Sequence, residues 1–298
     1  MAMEPWQLAS GRALSLDRPR LMAILNVTPD SFYDGGRFAD ADAALRRALT
    51  MLGEGADILD IGGESTRPGA QGVGAEEQIR RTVPVIEAIA RERPDAIMSI
   101  DTTKAAVAQA ALNAGACIIN DTSAGRDDPE MVGVMARGKA GVILMHRLRQ
   151  PARDQYSTEY RAENTPHYAD LLRDVAEFLK ARVEAVVEAG VGKGHIVLDP
   201  GIGFGKTAEQ NWMLVRHLHV FQAEGFPVLS AVSRKSFLGA ADRDHPAAQP
   251  ELRLPATLAV SLTHLNKGIR LFRVHDVGEH RRAFAAAISA GGMQADAE

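Results

Sequence analysis

Residues 96–120 read Ala96-Ile-Met-Ser-Ile-Asp101-Thr-Thr-Lys104-Ala-Ala-Val-Ala-Gln-Ala-Ala-Leu-Asn113-Ala-Gly-Ala-Cys117-Ile-Ile-Asn120. An apolar run too short for a helix (96–100) ends on an aspartate. A stretch of helical period (104–113) follows, and a second apolar run (117–119) ends on an asparagine. Outward from this unit the same alternation covers the chain. The other apolar runs are 21–25, 57–61, 141–145, 196–198, 228–232 and 269–274. Between and after the eight runs lie helical stretches at 41–52, 75–91, 129–137, 168–188, 209–218, 255–265 and 278–289. Strands alternating with helices imply βα units around a parallel sheet. Eight of them close most economically into an α/β fold of the (β/α)8 TIM-barrel type, in a single domain. An open doubly wound sheet is the alternative. Residues 1–19 are then an N-terminal leader, 20–290 the barrel, and 291–298 a flexible tail. The polar stretch 147–167 is a lid or a mobile insertion.

Composition sets the outer limits. The 298 residues carry 34 Lys+Arg against 38 Asp+Glu, a net charge of −4, with 46% hydrophobic residues. That balance excludes a disordered chain and argues against a broad nucleic-acid surface. The single cysteine, Cys117, excludes a disulfide framework and a multi-cysteine zinc site. No apolar run approaches the roughly 20 residues that span a bilayer. The expected setting is the cytoplasm, with no membrane or nucleic-acid partner.

The chemistry-bearing residues lie where the apolar runs stop: Asn26, Asp60 with Gly62, Asp101, Asn120 with Asp121, His146, Asp199, Ser233 with Lys235, and Arg273 with His275. In a parallel barrel all these ends meet at one mouth, where βα loops build the site. Any one of them can equally be a turn former or helix cap. Alternation in Leu271-Phe-Arg-Val-His275 puts Arg273 and His275 on one face, a pair suited to phosphate or diphosphate. Gly201-Ile-Gly-Phe-Gly-Lys-Thr207 looks like a phosphate loop, but Pro200 stands where that pattern needs glycine.

Several stretches together resemble the dihydropteroate synthase family: Asn26-Val-Thr-Pro-Asp-Ser-Phe32, Gly62-Gly-Glu-Ser-Thr-Arg-Pro-Gly69, Ser99-Ile-Asp-Thr-Thr-Lys104, Ile119-Asn-Asp121, Leu198-Asp-Pro-Gly-Ile-Gly-Phe-Gly-Lys206, Ser233-Arg-Lys-Ser-Phe237 and Arg273-Val-His-Asp-Val277. The resemblance implies a folate-pathway transferase. It would join 7,8-dihydropterin-6-ylmethyl diphosphate to 4-aminobenzoate, release diphosphate, and be a sulfonamide target. It further implies a pterin pocket of Asp101, Asn120, Asp199 and Lys235. Asn26, Arg273 and His275 would form a diphosphate site, with Mg2+ near Asn26. Phe32, Thr66, Arg67, Pro68, Lys235 and Ser236 would bind aminobenzoate. Asp101, Lys235, Arg273 and His275 would be the catalytic set, and the protein a homodimer. On this reading Arg273→Ala cuts turnover while sparing much of pterin binding. The family's usual Gly-Thr is Ala256-Thr257 here, and Arg147-Leu-Arg-Gln-Pro151 replaces its usual turn after the fifth strand. A folate- or corrinoid-linked methyltransferase and a non-catalytic pterin binder are the competing readings.

Overall fold

The computed structural model describes residues 4–28, 36–242 and 249–291. Its strands are β1 (Trp6–Gln7), β2 (Ala13–Leu14), β3 (Arg20–Asn26), β4 (Ile58–Gly62), β5 (Ile97–Asp101), β6 (Ile118–Asp121), β7 (Gly141–Met145), β8 (Ile196–Asp199), β9 (Leu229–Ser230) and β10 (Leu271–Val274). The helices are α1 (Gly36–Glu54), α2 (Ala75–Glu92), α3 (Ala105–Ala114), α4 (Met131–Gly138), α5 (Leu171–Glu188), α6 (Ala208–His217), α7 (Ser236–Gly239), α8 (Leu254–Asn266) and α9 (Val277–Ser289). Strands β3 to β10 form one eight-stranded sheet in the order β8-β7-β6-β5-β4-β3-β10-β9, and every pairing in it is parallel. A single parallel bridge, Leu198 to Val228, joins the two ends and closes the barrel. The barrel reading therefore holds over the open sheet. Among the described residues, no helix is long and apolar enough to cross a membrane.

Every strand-like run is a strand, but β9 is shorter than the run 228–232. The chain leaves the sheet early because Lys235 N bonds back to Val232 O, and Arg234 takes a left-handed φ of 59°. Conversely, the polar residues that end several runs belong to the ladders. Pairing is a backbone matter, so a polar side chain does not stop it.

Register then stacks the interior in layers. Asn26, Gly62, Asp101 and Asn120 are mutual register partners across β3, β4, β5 and β6. One layer deeper, Ile24, Asp60, Ser99 and Ile118 pair in the same way. A period of two puts both rows on the same face of the sheet. Apart from Gly62 the outer row is polar, and it lies at the C-terminal mouth.

The opposite mouth is closed by the leader. Strands β1 and β2 form an antiparallel hairpin, with Trp6 opposite Leu14. Trp6 and Leu8 are buried, and Trp6 Nε1 donates to His195 O at 2.7 Å, just ahead of β8. Gly141 opens β7 beneath them, where a Cβ would come within 2.6 Å of Leu8 Cδ2. The segment 147–167 is folded onto the barrel. Asp154 and Ser157 are buried in it, Gly69 N donates to Pro151 O at 2.8 Å, and Asn211 Nδ2 of α6 donates to Ser157 Oγ at 2.8 Å. The tail 292–298 lies outside the described residues.

Candidate active site

At the C-terminal mouth lies a cavity of about 570 Å³. Asn26 of β3, Thr66, Arg67 and Pro68 of the β4–α2 loop, Lys235 and Ser236 after β9, and Arg273 and His275 of the last strand's end all line it. Tyr156, Thr158 and Glu159 of the 147–167 segment form one of its walls. Phe32 lies outside the described residues. Asp101, Asn120 and Asp199 are buried and do not line the cavity, but Arg273, which does, reaches Asp101.

The floor is an ion-pair network. Arg273 Nε donates to Asp60 Oδ2 at 2.6 Å, and its Nη2 donates to Asp101 Oδ2 at 2.6 Å. Asn120 Nδ2 donates to the same Asp60 oxygen at 3.1 Å. Asp60 is buried, and its Oδ1 has no protein partner, nor has the neighbouring Ser99 Oγ. One guanidinium thus serves two carboxylates in a low-dielectric interior. Burial pushes the Asp101 carboxyl up to about 7, with Asp60 and Asp121 adding to the rise and Arg273 opposing it. Gly62 lies beside this network, where a Cβ would stand at ordinary contact distance, 3.6 Å from both Asn26 Oδ1 and Asp101 Cβ.

Lys235 sits over the β8–α6 loop. Its Nζ donates to Ile202 O and lies 4.7 Å from the centre of the Phe204 ring. Burial pulls the ammonium down to about 8, although Asp199 favours the charged form. Burial likewise raises Asp199, against the pull of Lys235, and Asp199 Oδ1 accepts from Gly201 N at 2.7 Å. The left-handed Arg234 that aims Lys235 inward is held from both sides. Its backbone N donates to Thr257 Oγ1 at 3.1 Å, and its Nε donates to Asp276 Oδ2 at 2.9 Å.

His275, paired with Arg273 on one strand face, is not a second cation. Burial, then Arg273 and Arg234, push its imidazole down to about 3, so it is neutral near pH 7. Ser233 Oγ accepts from His275 N at 3.2 Å and lies 3.0 Å from His275 Nδ1. A Ser233 hydroxyl that donates to Nδ1 leaves the ring proton on Nε2, whereas one that accepts from Nδ1 places it there instead. The group remains a donor, but not a cation.

Other strand ends do local work. Asp121 accepts from Ser123 N at 2.7 Å and Gly125 N at 2.6 Å, which is turn capping. His146 turns away from the cavity toward the buried Lys206, 3.0 Å from its Nζ. Two buried residues had no expected role in the site. Asp60, read from the sequence only as a strand-end acid, joins the Arg273 network. Lys206, the basic end of the phosphate-loop lookalike, lies outside that network, beside His146.

No group of three His, Cys, Asp or Glu side chains that could cage a metal exists among the described residues. Asn26 offers a single neutral oxygen at the mouth. Mg2+ is usually held through one or two carboxylates with substrate phosphates and water, so most of its ligands here would have to come from a bound diphosphate.

The β8–α6 loop also sets a stability test. Gly201 has φ 69°, and a Cβ on it would run into the carbonyl oxygen of His146. Gly201→Ala is expected to lose about 2–4 kcal/mol of stability, from backbone strain and the clash together. Urea unfolding checks this.

Polar donors and acceptors gathered from many strands at the C-terminal face of a barrel define an enzyme rather than a scaffold. A family model described as pterin binding enzyme matches residues 22–275. The chain belongs to this family, in its dihydropteroate synthase branch. The dihydropteroate synthase of Synechocystis sp. is 45% identical over 260 residues, 87% of this chain and 86% of that protein. That of Bacillus subtilis is 44% identical over 266 residues, 89% of this chain and 86% of that protein. Among solved structures, Xanthomonas albilineans dihydropteroate synthase with 4-aminobenzoic acid superposes with a TM-score of 0.85 at 39% identity, covering 97% of this chain and 100% of that one. The same enzyme in complex with 7,8-dihydropteroate superposes with a TM-score of 0.80 at 35% identity, covering 96% and 98%.

Proposed function

We propose that the chain catalyses the condensation of 7,8-dihydropterin-6-ylmethyl diphosphate with 4-aminobenzoate, giving 7,8-dihydropteroate and diphosphate. The observation that carries this reading is the network in which Arg273, lining the mouth, reaches down to the buried Asp101. It joins a site for a leaving anion to a carboxylate suited to the pterin edge. Asp101, Asn120 and Asp199 supply acceptors and an amide for the amino group, ring N–H and carbonyl of a pterin, with Lys235 beside them. Matched buried groups discriminate strongly, because a wrong ring leaves them unpaired.

The aromatic amine is a weak nucleophile, so departure of diphosphate is the hard step. The methylene C–O bond breaks and its electron pair leaves with diphosphate. Arg273, His275 and Asn26 face the charge that develops there. Asp101, when ionised, stabilises the cationic methylene. The aminobenzoate nitrogen then forms the new C–N bond and releases a proton to water or to the departing diphosphate, with no covalent enzyme intermediate. Thr66, Arg67, Pro68, Lys235 and Ser236 line the side from which aminobenzoate approaches. Bound Mg2+, held by Asn26 and the diphosphate oxygens, would neutralise charge on the leaving group. Sulfonamide drugs, one of which is bound in a Yersinia pestis dihydropteroate synthase structure, would compete at the aminobenzoate side. We also read the protein as a cytoplasmic homodimer pairing through its last helices, which light scattering would detect as a particle of two chains.

The direct test supplies both substrates with Mg2+ and follows dihydropteroate. A folded protein that makes none overturns the reading, and methyl transfer from a methylated tetrahydrofolate would put the methyltransferase in its place. The pH dependence is a second check. Asp101 must be ionised to accept from the pterin, and Lys235 must be charged. With the first pushed up to about 7 and the second down to about 8, kcat/KM is expected to rise toward pH 7 and fall beyond 8, a narrow bell. A flat profile from pH 6 to 9 would count against these assignments.

A further inference from the structure

Lys206 is fully buried and lies outside the cavity, yet it is completely satisfied. Its Nζ donates to Gly201 O at 2.9 Å and to Phe204 O at 3.0 Å, and lies 3.0 Å from His146 Nδ1. As an ammonium it has three protons for the three acceptors that meet it. Burial pulls it down to about 7, against Asp199 and Asp154, which favour the charged form. Burial, then Lys206 and Arg126, push His146 far below the ordinary histidine range. The imidazole is therefore neutral, and Nδ1 is free of a proton to accept.

The loop around this ammonium is built to wrap it. Gly201, Gly203 and Gly205 have φ of 69°, 88° and 62°. Left-handed residues at alternate positions fold the loop tightly, with the carbonyls of 201 and 204 on one cation. The far end is tied to the 147–167 segment and the approach to α5. Gly205 N donates to Asp154 Oδ2 at 2.8 Å, and Tyr168 Oη donates to Gly205 O at 2.9 Å.

The outer face of the same loop is the seat of Lys235. Ile202 O takes its ammonium, the Phe204 ring lies under it, and Gly203 leaves room for its stem. A Cβ on Gly203 would come within 2.7 Å of Lys235 Cδ. We propose that Lys206 is a positioning residue for the condensation: it acts as an internal cation that sets the 201–204 loop, and through that loop the place of Lys235, while touching neither substrate. This rests on the function proposed above.

The test is a double-mutant cycle of Lys206→Met and Lys235→Met. It is read as kcat/KM for aminobenzoate and, separately, as affinity for 7,8-dihydropteroate by calorimetry. Lys206→Met alone is expected to lower kcat/KM by about 10- to 100-fold, the scale of a displaced functional group. In the Lys235→Met background the same change should cost less than about threefold, since coupled residues lose their effects together. Dihydropteroate affinity should follow the same pattern. A loss that persists in full without Lys235, or a lowered Tm with unchanged kinetics, overturns the proposal in favour of a purely structural lysine. If Lys206→Met does not fold, His146→Leu takes its place in the cycle. His146→Asn, which restores an acceptor, should recover most of that loss, and no recovery counts against the proposal. Wild-type protein that binds dihydropteroate but forms none would sink the functional reading alone, because the calorimetric cycle still reports on Lys206.

Discussion

Arg273→Ala is expected to lower dihydropteroate formation by about 100- to 1,000-fold, the usual cost of removing one donor aimed at developing negative charge. Pterin binding should fall as well, contrary to what the sequence suggested. Arg273 also holds Asp60 and Asp101, at 2.6 Å each. Without it, Asp101 loses the group that opposes its protonation, and near neutral pH more of it is in the acid form, which is a poorer acceptor. Breaking such a buried pair typically costs about 3–5 kcal/mol. The sign with pH is definite. A folded carboxyl whose pKa lies above its unfolded value keeps its proton longer in the folded state. Stability therefore falls as pH rises from the ordinary carboxylate range through the raised value. The variant's deficit in Tm should widen from pH 5 to pH 8. A deficit equal at both, or turnover within tenfold of wild type, would show that Arg273 has another role.

Asp101→Asn is expected to cost about 1,000-fold in kcat/KM for the pterin diphosphate, if Asp101 supplies, as proposed, the negative charge beside a cationic methylene and a matched acceptor. Stability should move the other way. Ionised Asp101 is an expensive buried charge, raised to about 7 chiefly by burial. An amide oxygen can still accept from Arg273, while Asp60 keeps that guanidinium paired. Above pH 7 the variant should melt no lower than wild type, and the acid limb of the rate profile should disappear. Lost activity with a lowered Tm at pH 8 would mark Asp101 as structural.

Much of this was legible in one dimension. Apolar runs of strand length between helical stretches disclosed the barrel, and the polar residue after each run disclosed the mouth. What stayed hidden depends on direction rather than identity. Asn120 and Asp121 are adjacent, yet one faces the barrel interior toward Asp60 and the other caps a turn. His275 reads as a cation from its letter, but its burial, with the Arg273 and Arg234 charges around it, makes it neutral. Lys206 reads as part of a failed phosphate loop, because only the folded loop shows its own carbonyls where an anion would otherwise be sought. The hairpin of residues 6–14 escaped notice because two-residue strands carry no periodicity.

The barrel's closure carries one further consequence. Seven of its joins are ladders, whereas the join between β8 and β9 rests on the Leu198–Val228 bridge alone. Asp199 ends β8, and Lys235 follows β9, so the two groups that would grip a pterin stand on opposite banks of that seam. A bound ring would fasten a wall that the backbone leaves nearly unbuttoned, and occupancy would stiffen the barrel where it is weakest.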